Sequence, residues 1–68
     1  MNLADAQNKA ARIARSHGAA VVVAVADPAH GNGEGENRFD ACTQEYAEYD
    51  ARNEKYLTVI EQERTVAA

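Results

Sequence analysis

The stretch AAVVVAVA, residues 19–26, is the longest apolar run in the chain and decides the fold. It is rich in β-branched valine and is bounded by Gly18 on one side and by Asp27 and Pro28 on the other. A short apolar run with such boundaries is typical of a buried β-strand. We expect it to be the central strand of a sheet, because an isolated strand would leave its backbone groups unpaired.

The residues before this strand predict one amphipathic helix. Asn2 or Asp5 can cap its N-terminus, and Gly18 supplies a stop signal. Small or apolar residues recur every three or four positions along one narrow stripe, which consists of Leu3, Ala6, Ala10, Ile13, Ala14 and His17. Because half of these residues are alanines, a second layer can approach the helix closely, and the helix needs that layer for its stability.

The residues after the strand begin with a glycine-rich segment. Residues 27–37 include three glycines and no large apolar side chain, which predicts a flexible loop. Beyond it, residues 38–43 resume an extended pattern, and residues 56–60 form a second run of strand-forming side chains. The sequence therefore offers two partners for the central strand.

The segment that joins these two partners has two interpretations. In helical phase it would form one long C-terminal helix, with a seam of residues at Cys42, Tyr46, Tyr49, Asn53, Tyr56 and Ile60. Alternatively, residues 51–54 form the turn of a hairpin that joins residues 38–49 to residues 55–65. We favour the hairpin because the central strand needs partners. The predicted fold is a single small α+β domain over residues 1–68, with one N-terminal helix packed on a three-stranded antiparallel sheet in the order αβββ.

The length of the chain limits the functions that it can support. A domain of 68 residues is near the size at which one core leaves only about 3–5 kcal/mol of net stability, so a deep catalytic pocket would compete with the core. Association into a homodimer would add stability. The single cysteine, Cys42, excludes an internal disulfide and fits a reducing compartment. We expect no signal peptide or membrane anchor, and a location in the cytoplasm.

The charge of the chain is negative and unevenly divided. The net charge is −4 at pH 7; residues 1–30 hold two acids against three basic side chains, and residues 31–68 hold nine acids against four. An acidic surface repels nucleic acid and anionic lipid and attracts basic protein surfaces at long range. We therefore expect no direct nucleic-acid binding and no membrane binding, and a larger protein or complex with a basic surface as the partner.

Motifs for catalysis, cofactors and metals are weak throughout the chain. Gly31, Gly33 and Gly35 have the spacing of a phosphate-binding loop, but acids lie beside them and no lysine follows. His17 has no nucleophile with a recognisable motif near it. A mixed set of metal-ligand types has neither EF-hand nor zinc-site spacing; it consists of Asp27, His30, Glu34 and Glu36. We expect a protein that is not an enzyme and has no cofactor or metal site.

One window of the sequence combines aromatic and acidic side chains. All four aromatic residues fall between Phe39 and Tyr56, and five acids are interleaved with them. Tyrosine offers rigid, amphipathic contact area, and carboxylates complement surfaces lined by lysine and arginine. We predict that this window binds the partner through Glu45, Tyr46, Glu48, Tyr49, Asp50, Glu54 and Tyr56. The alternative is that the tyrosines complete a core that is poor in large side chains.

In its size, acidity, lack of motifs and predicted αβββ layout, the chain resembles the small phage-encoded inhibitors of bacterial defence, the anti-CRISPR proteins. Those proteins commonly act as stoichiometric blockers, and several place acids where a target's basic groove would hold DNA phosphates. The resemblance implies a non-enzymatic inhibitor that acts in the cytoplasm of a bacterial host and blocks a basic, nucleic-acid-binding surface of a larger partner. The acids that match this role are Glu45, Glu48, Asp50 and Glu54, together with Glu61 and Glu63.

A second resemblance is local and concerns residues 10–30. This stretch, a predicted helix, a glycine, the segment Val-Ala-Val-Ala-Asp and a turn that ends in His30, is similar to the opening of the haem-linked GlcG/HbpS family. That resemblance implies the alternative function, a small-ligand or haem-binding module.

Overall fold

A three-stranded antiparallel sheet carries one helix on each face. The computed structural model describes residues 1–26 and 35–64. Its elements follow the order α1 (Leu3–His17), β1 (Ala20–Val25), a 3-10 turn (Gly35–Asn37), β2 (Phe39–Thr43), α2 (Gln44–Asn53) and β3 (Leu57–Glu63). The predicted α+β domain, with its N-terminal helix and three antiparallel strands, is confirmed, and α2 is an additional helix. Most of the predicted loop, residues 27–34, lies outside the described residues.

Strand β1 is the central strand, as its valine-rich sequence predicted. The strand order in the sheet is β2-β1-β3, and Val22 lies opposite both Ala41 of β2 and Glu61 of β3. Val22 and Val23 are fully buried and point to opposite faces of the sheet, because successive side chains of a strand alternate. The backbone of β1 is paired on both sides, and its side chains contribute to the packing on both faces.

Helix α1 begins and ends where the sequence predicted. The Oδ1 of Asn2 accepts a hydrogen bond from the backbone N–H of Asp5 at 2.8 Å, so Asn2 is the N-cap. Gly18 follows the helix with a φ of 87°, a conformation that favours glycine. The alanine stripe packs directly on the sheet, and the cluster consists of Ala6, Ala10 and Ala14 of α1 with Ala20, Val22 and Ala41.

Helix α2 covers the opposite face of the sheet less completely. Its Ala47 is buried against Val21 and Val23 of β1. Around this small cluster, three side chains are only partly buried, namely Val25, Cys42 and Leu57. A helix that contributes one alanine to the contact cannot cover a whole sheet face, and grooves therefore remain beside it.

The hairpin predicted for residues 38–49 and 55–65 is wrong. Strands β2 and β3 lie on opposite sides of β1, and both run antiparallel to it, so they run parallel to each other. Parallel strands cannot be joined by a tight turn and need a crossover connection, commonly a helix. Here α2 is that crossover. The Oγ1 of Thr43 accepts a hydrogen bond from the backbone N–H of Tyr46 at 3.2 Å and caps its first turn.

The alternative of one long C-terminal helix is also wrong, because α2 ends at Asn53. The carbonyl oxygen of Asp50 accepts hydrogen bonds from the backbone N–H groups of Glu54 (2.9 Å) and Lys55 (2.6 Å). Lys55 has a left-handed φ of 63°, a conformation that commonly follows the end of a helix. The side-chain Oδ1 of Asp50 then accepts a hydrogen bond from the backbone N–H of Leu57 at 2.9 Å, at the start of β3.

The close contact between α1 and the sheet predicts that Ala10 tolerates no larger side chain. Ala10 is fully buried, so Ala10→Leu should destabilise the domain by about 1–3 kcal/mol through overpacking, and each kcal/mol should lower Tm by about 4–8 °C. The control is Asn8→Leu, which adds the same side chain at an exposed position of α1. Thermal unfolding followed by circular dichroism compares the two variants. Equal Tm values would contradict the observed packing.

The hydrogen bonds of Asp50 predict a structural role for this carboxylate. Asp50→Ala should lower the free energy of unfolding by about 1–3 kcal/mol, because the acceptor for the Leu57 N–H is lost from a buried position, whereas Asp50→Asn retains an acceptor and should lose less. The control is Glu48→Ala on the exposed side of α2, for which we expect a change within about 0.5 kcal/mol. Urea denaturation measures all three. Asp50→Ala and Glu48→Ala unfolding at the same urea concentration would exclude this role.

Candidate protein-binding surface

The outer face of α2 presents two tyrosines and two carboxylates. Tyr46 and Tyr49 are 53% and 52% exposed, and their ring centroids lie 6.4 Å apart with the ring planes inclined by 34°. Their spacing of three residues places them side by side on the helix surface. Glu45 and Glu48 are exposed in the same helix. We refer to these four residues, Glu45, Tyr46, Glu48 and Tyr49, as the α2 patch.

The position of the α2 patch follows from the start of the helix. Thr43 fixes the first turn, and Glu45 lies in that turn, where a carboxylate interacts favourably with the helix dipole. One turn further on, the Oε1 of Glu48 accepts a hydrogen bond from the Nε2 of Gln44 at 3.2 Å. Thr43, Glu45 and the two tyrosines line a shallow depression on the surface. The patch is therefore a surface built on a capped helix, and not on a loop.

A groove runs between α2 and the sheet, next to the α2 patch. Its volume is about 250 Å³, and Tyr46 forms part of both the groove and the patch. Valine and leucine side chains line it together with carboxylates and a second tyrosine, and none of the lining residues is basic. We refer to it as the α2 groove; its lining residues are Val23, Val25, Asp40, Ala41, Cys42, Tyr46, Asp50, Glu54, Tyr56 and Leu57.

Six of the seven residues predicted to bind a partner are exposed, and Asp50 is not. Glu45, Glu48 and Glu54 and the three tyrosines are exposed, so the tyrosines do not complete the core. Asp50 is only 2% exposed and is held by the Leu57 N–H. The prediction that Asp50 lies on the outer surface is therefore wrong. The physical reason is its helical position, three residues after Ala47, which turns it towards the sheet.

Strand β2 also contributes to this surface, although none of the predicted binding residues lies in it. Asp40 and Cys42 both line the α2 groove, and they share one face of β2 because they are two residues apart. Asp40 accepts hydrogen bonds from the Nζ of Lys9 at 2.8 Å and from the backbone N–H of Ala41 at 2.7 Å. The alternating pattern of β2 was a signal for a shared face. The pairing of β2 with β1 decides which other side chains lie on the same side of the sheet as Asp40 and Cys42.

The thiol of Cys42 is influenced by its place in the groove. Burial raises the pKa of Cys42 most strongly, and the negative charge of Asp40 raises it further. Lys9 lowers this pKa, and Asp50, the last of the four causes in size, raises it. A raised pKa leaves a smaller fraction of reactive thiolate at neutral pH. Cys42 is partly exposed, so its reactivity reports directly on the environment of the groove.

The other sequence candidates are not brought together. His17 is exposed at the end of α1. Glu61 accepts hydrogen bonds from the Nε2 of Gln7 at 3.0 and 2.9 Å, and Glu63 is half-buried in β3. Within residues 1–26 and 35–64, no group of three or more histidine, cysteine or acidic side chains could hold a metal ion. The predicted loop positions Asp27, His30, Gly31, Gly33 and Glu34 lie outside the described residues.

Comparisons with known proteins identify no relative. No family model matches the chain, and no curated protein and no solved structure is similar enough to count as a match. In the described part of the chain, neither helix is long and apolar enough to cross a membrane.

The raised pKa of Cys42 predicts how this thiol reacts with iodoacetamide. Because only the thiolate reacts, the rise of the reaction rate with pH should occur at higher pH than for a free cysteine. Asp40→Asn removes a charge that raises this pKa, so its rate profile should move to lower pH and the rate at neutral pH should increase. The control is Asp5→Asn, at an exposed position on α1. Rates from about pH 6 to about pH 10 measure the effect; profiles that coincide would contradict it.

Proposed function

We propose that this chain is a non-enzymatic, acidic interaction protein that blocks a basic surface of a larger partner. The observation that carries the proposal is the pair of exposed, neighbouring tyrosines, Tyr46 and Tyr49, with carboxylates on the same helix. An aromatic pair that is more than half exposed in so small a domain has little role in the core. Its position on a capped helix supports a role in contact with another molecule.

The two kinds of side chain in the α2 patch make different contributions to such a contact. Tyrosines that become buried in an interface supply apolar contact area and lose little conformational entropy. They are common among the residues that dominate binding energy. Glu45 and Glu48 supply long-range attraction and fix the orientation of approach, and this contribution weakens with added salt. Both contributions are available only if the partner presents basic side chains around an apolar or aromatic contact.

The partner that fits these properties best is a nucleic-acid-binding protein or complex of a bacterial host. The basic surface of such a partner normally binds the phosphates of a nucleic acid. A folded acidic protein with a net charge of −4 would compete with the nucleic acid by occupying that surface, one inhibitor molecule per binding site. An inhibitor of the anti-CRISPR type, which acts in the host cytoplasm, is the most specific form of this proposal. The resemblance in size and acidity supports it, and so does the placement of six of the predicted binding residues at the surface.

The haem-binding alternative gains no support from a specific observation. Residues 10–26 form the end of α1 and the strand β1, which agrees with the elements of that resemblance, but His30 lies outside the described residues. The α2 groove has an acidic lining with no histidine among its residues.

This proposal predicts that binding depends on the α2 patch. Glu45→Lys with Glu48→Lys should weaken binding at least tenfold, because attraction becomes repulsion; Tyr46→Ala with Tyr49→Ala should weaken it by about thirtyfold or more, as expected for two residues that dominate an interface. Asp50 stays unchanged because it is buried. The charge control is Asp5→Lys with Glu36→Lys, which changes the net charge equally at two exposed positions outside α2.

The measurement begins with affinity capture from bacterial lysates at about 0.05 M and about 0.5 M salt, followed by identification of the captured partner. Affinities of the purified pair are then measured for all variants, with circular dichroism to verify folding. Added duplex DNA should displace the protein from its partner. In bacterial cells, the protein should protect a plasmid that the CRISPR system of the host targets. A folded patch variant that binds like the wild type, or a captured partner that DNA does not displace, would refute the proposal.

A further inference from the structure

We propose that the α2 groove receives an arginine side chain from the basic surface of the partner. This proposal rests on the proposed function and makes it more specific, because it names the group that anchors the contact and the residues that receive it. The groove would hold the methylene groups of the arginine against its apolar lining and the guanidinium group beside its carboxylates and tyrosines.

The apolar lining of the groove suits the stem of a long basic side chain. Val25 and Leu57 are half-buried and contact the small cluster under α2, and Val23 beneath them is buried. Arginine and lysine bury their methylene groups along apolar surface while the charged end stays near water. A groove of about 250 Å³ that opens at the protein surface fits this division between an apolar stem and a charged end.

The charged lining of the groove is entirely negative. Asp40, Asp50 and Glu54 contribute carboxylates, but they are not equally available. Asp50 is buried and accepts a hydrogen bond from the Leu57 N–H, and Asp40 is paired with Lys9. Among the ion pairs of the described residues, none involves Glu54, and its side chain is exposed. Glu54 is therefore the carboxylate that is free to pair with an incoming cation.

The tyrosines of the groove favour arginine over lysine. Tyr46 and Tyr56 are both exposed and both line the groove. A guanidinium group is planar, stacks on aromatic rings and forms two parallel hydrogen bonds with a carboxylate, whereas an ammonium group is a strongly hydrated point charge. Glu54 and the two tyrosines line the same groove, so together they offer a guanidinium group both a carboxylate and aromatic rings.

The groove adjoins the α2 patch, because Tyr46 belongs to both. A partner surface that covers Tyr46 and Tyr49 therefore lies close enough to extend one side chain over the edge of α2. Insertion of that side chain would remove the guanidinium group partly from water, where its interactions with Glu54 and the tyrosines are stronger than on an open surface.

The test uses a terminally blocked tri-arginine peptide as the probe and a tri-citrulline peptide as its control, since citrulline has nearly the same shape without the charge. Titration followed by amide chemical shifts locates the site. We expect shifts at Val23, Val25 and Leu57 with tri-arginine, weaker binding of a tri-lysine peptide, and no saturable shifts with tri-citrulline. Equal binding of tri-citrulline would overturn the proposal, because the charge would then make no contribution.

Two matched substitutions assign the binding to the groove. Glu54→Gln should weaken tri-arginine binding about two- to fivefold, as expected for one partly exposed ion pair, whereas Glu45→Gln, which removes the same charge outside the groove, should leave it nearly unchanged. Equal effects of the two variants would overturn the groove assignment. Circular dichroism verifies that both variants are folded.

The location of the shifts also separates this proposal from the proposed function. Shifts confined to Glu45, Glu48 and Tyr49 would overturn the groove assignment and leave the α2 patch as the binding surface. If no peptide causes shifts, the groove proposal is refuted, and the proposed function is then decided by the capture and displacement experiment alone.

Discussion

The pairing of β1 with a strand on each side is the constraint on which the rest of the structure depends. Its backbone groups need partners at both edges, and its side chains alternate between two faces that must both be covered. With β2 and β3 antiparallel to β1 on opposite sides, the chain must cross the sheet between them. Helix α2 makes this crossing and so brings the tyrosines onto the face opposite α1.

The two faces of the sheet are covered to different degrees, and this difference produces the candidate site. On one face, the alanines of α1 allow the helix to approach the sheet closely, so that little space remains. On the other face, α2 contributes only Ala47 to the buried cluster. The α2 groove is what this incomplete cover leaves open. A domain of 68 residues has too few large apolar side chains to close both faces.

The acids of the aromatic window have separate roles that their sequence does not distinguish. Asp50 is used within the fold, where its two acceptor oxygens, one of the backbone and one of the side chain, hold the turn into β3. Asp40 forms an ion pair with Lys9, which connects β2 to α1. Glu45, Glu48 and Glu54 are exposed and remain available for contact with a partner. The surface hypothesis thus rests on fewer acids than composition suggested.

The sequence by itself determined α1, its stop at Gly18 and the central strand, because these depend on local spacing, stop signals and β-branched side chains. It left Asn2 and Asp5 as alternative caps. It also indicated the exposed tyrosines and glutamates of α2 as a group. Only the tertiary structure decided that residues 44–53 form a helix, since their pattern fitted either element and the choice depended on which edge of β1 each later strand occupies. The same pairing placed Asp40 and Cys42 in the groove and turned Asp50 inwards; contacts between residues distant in sequence carry no local signal.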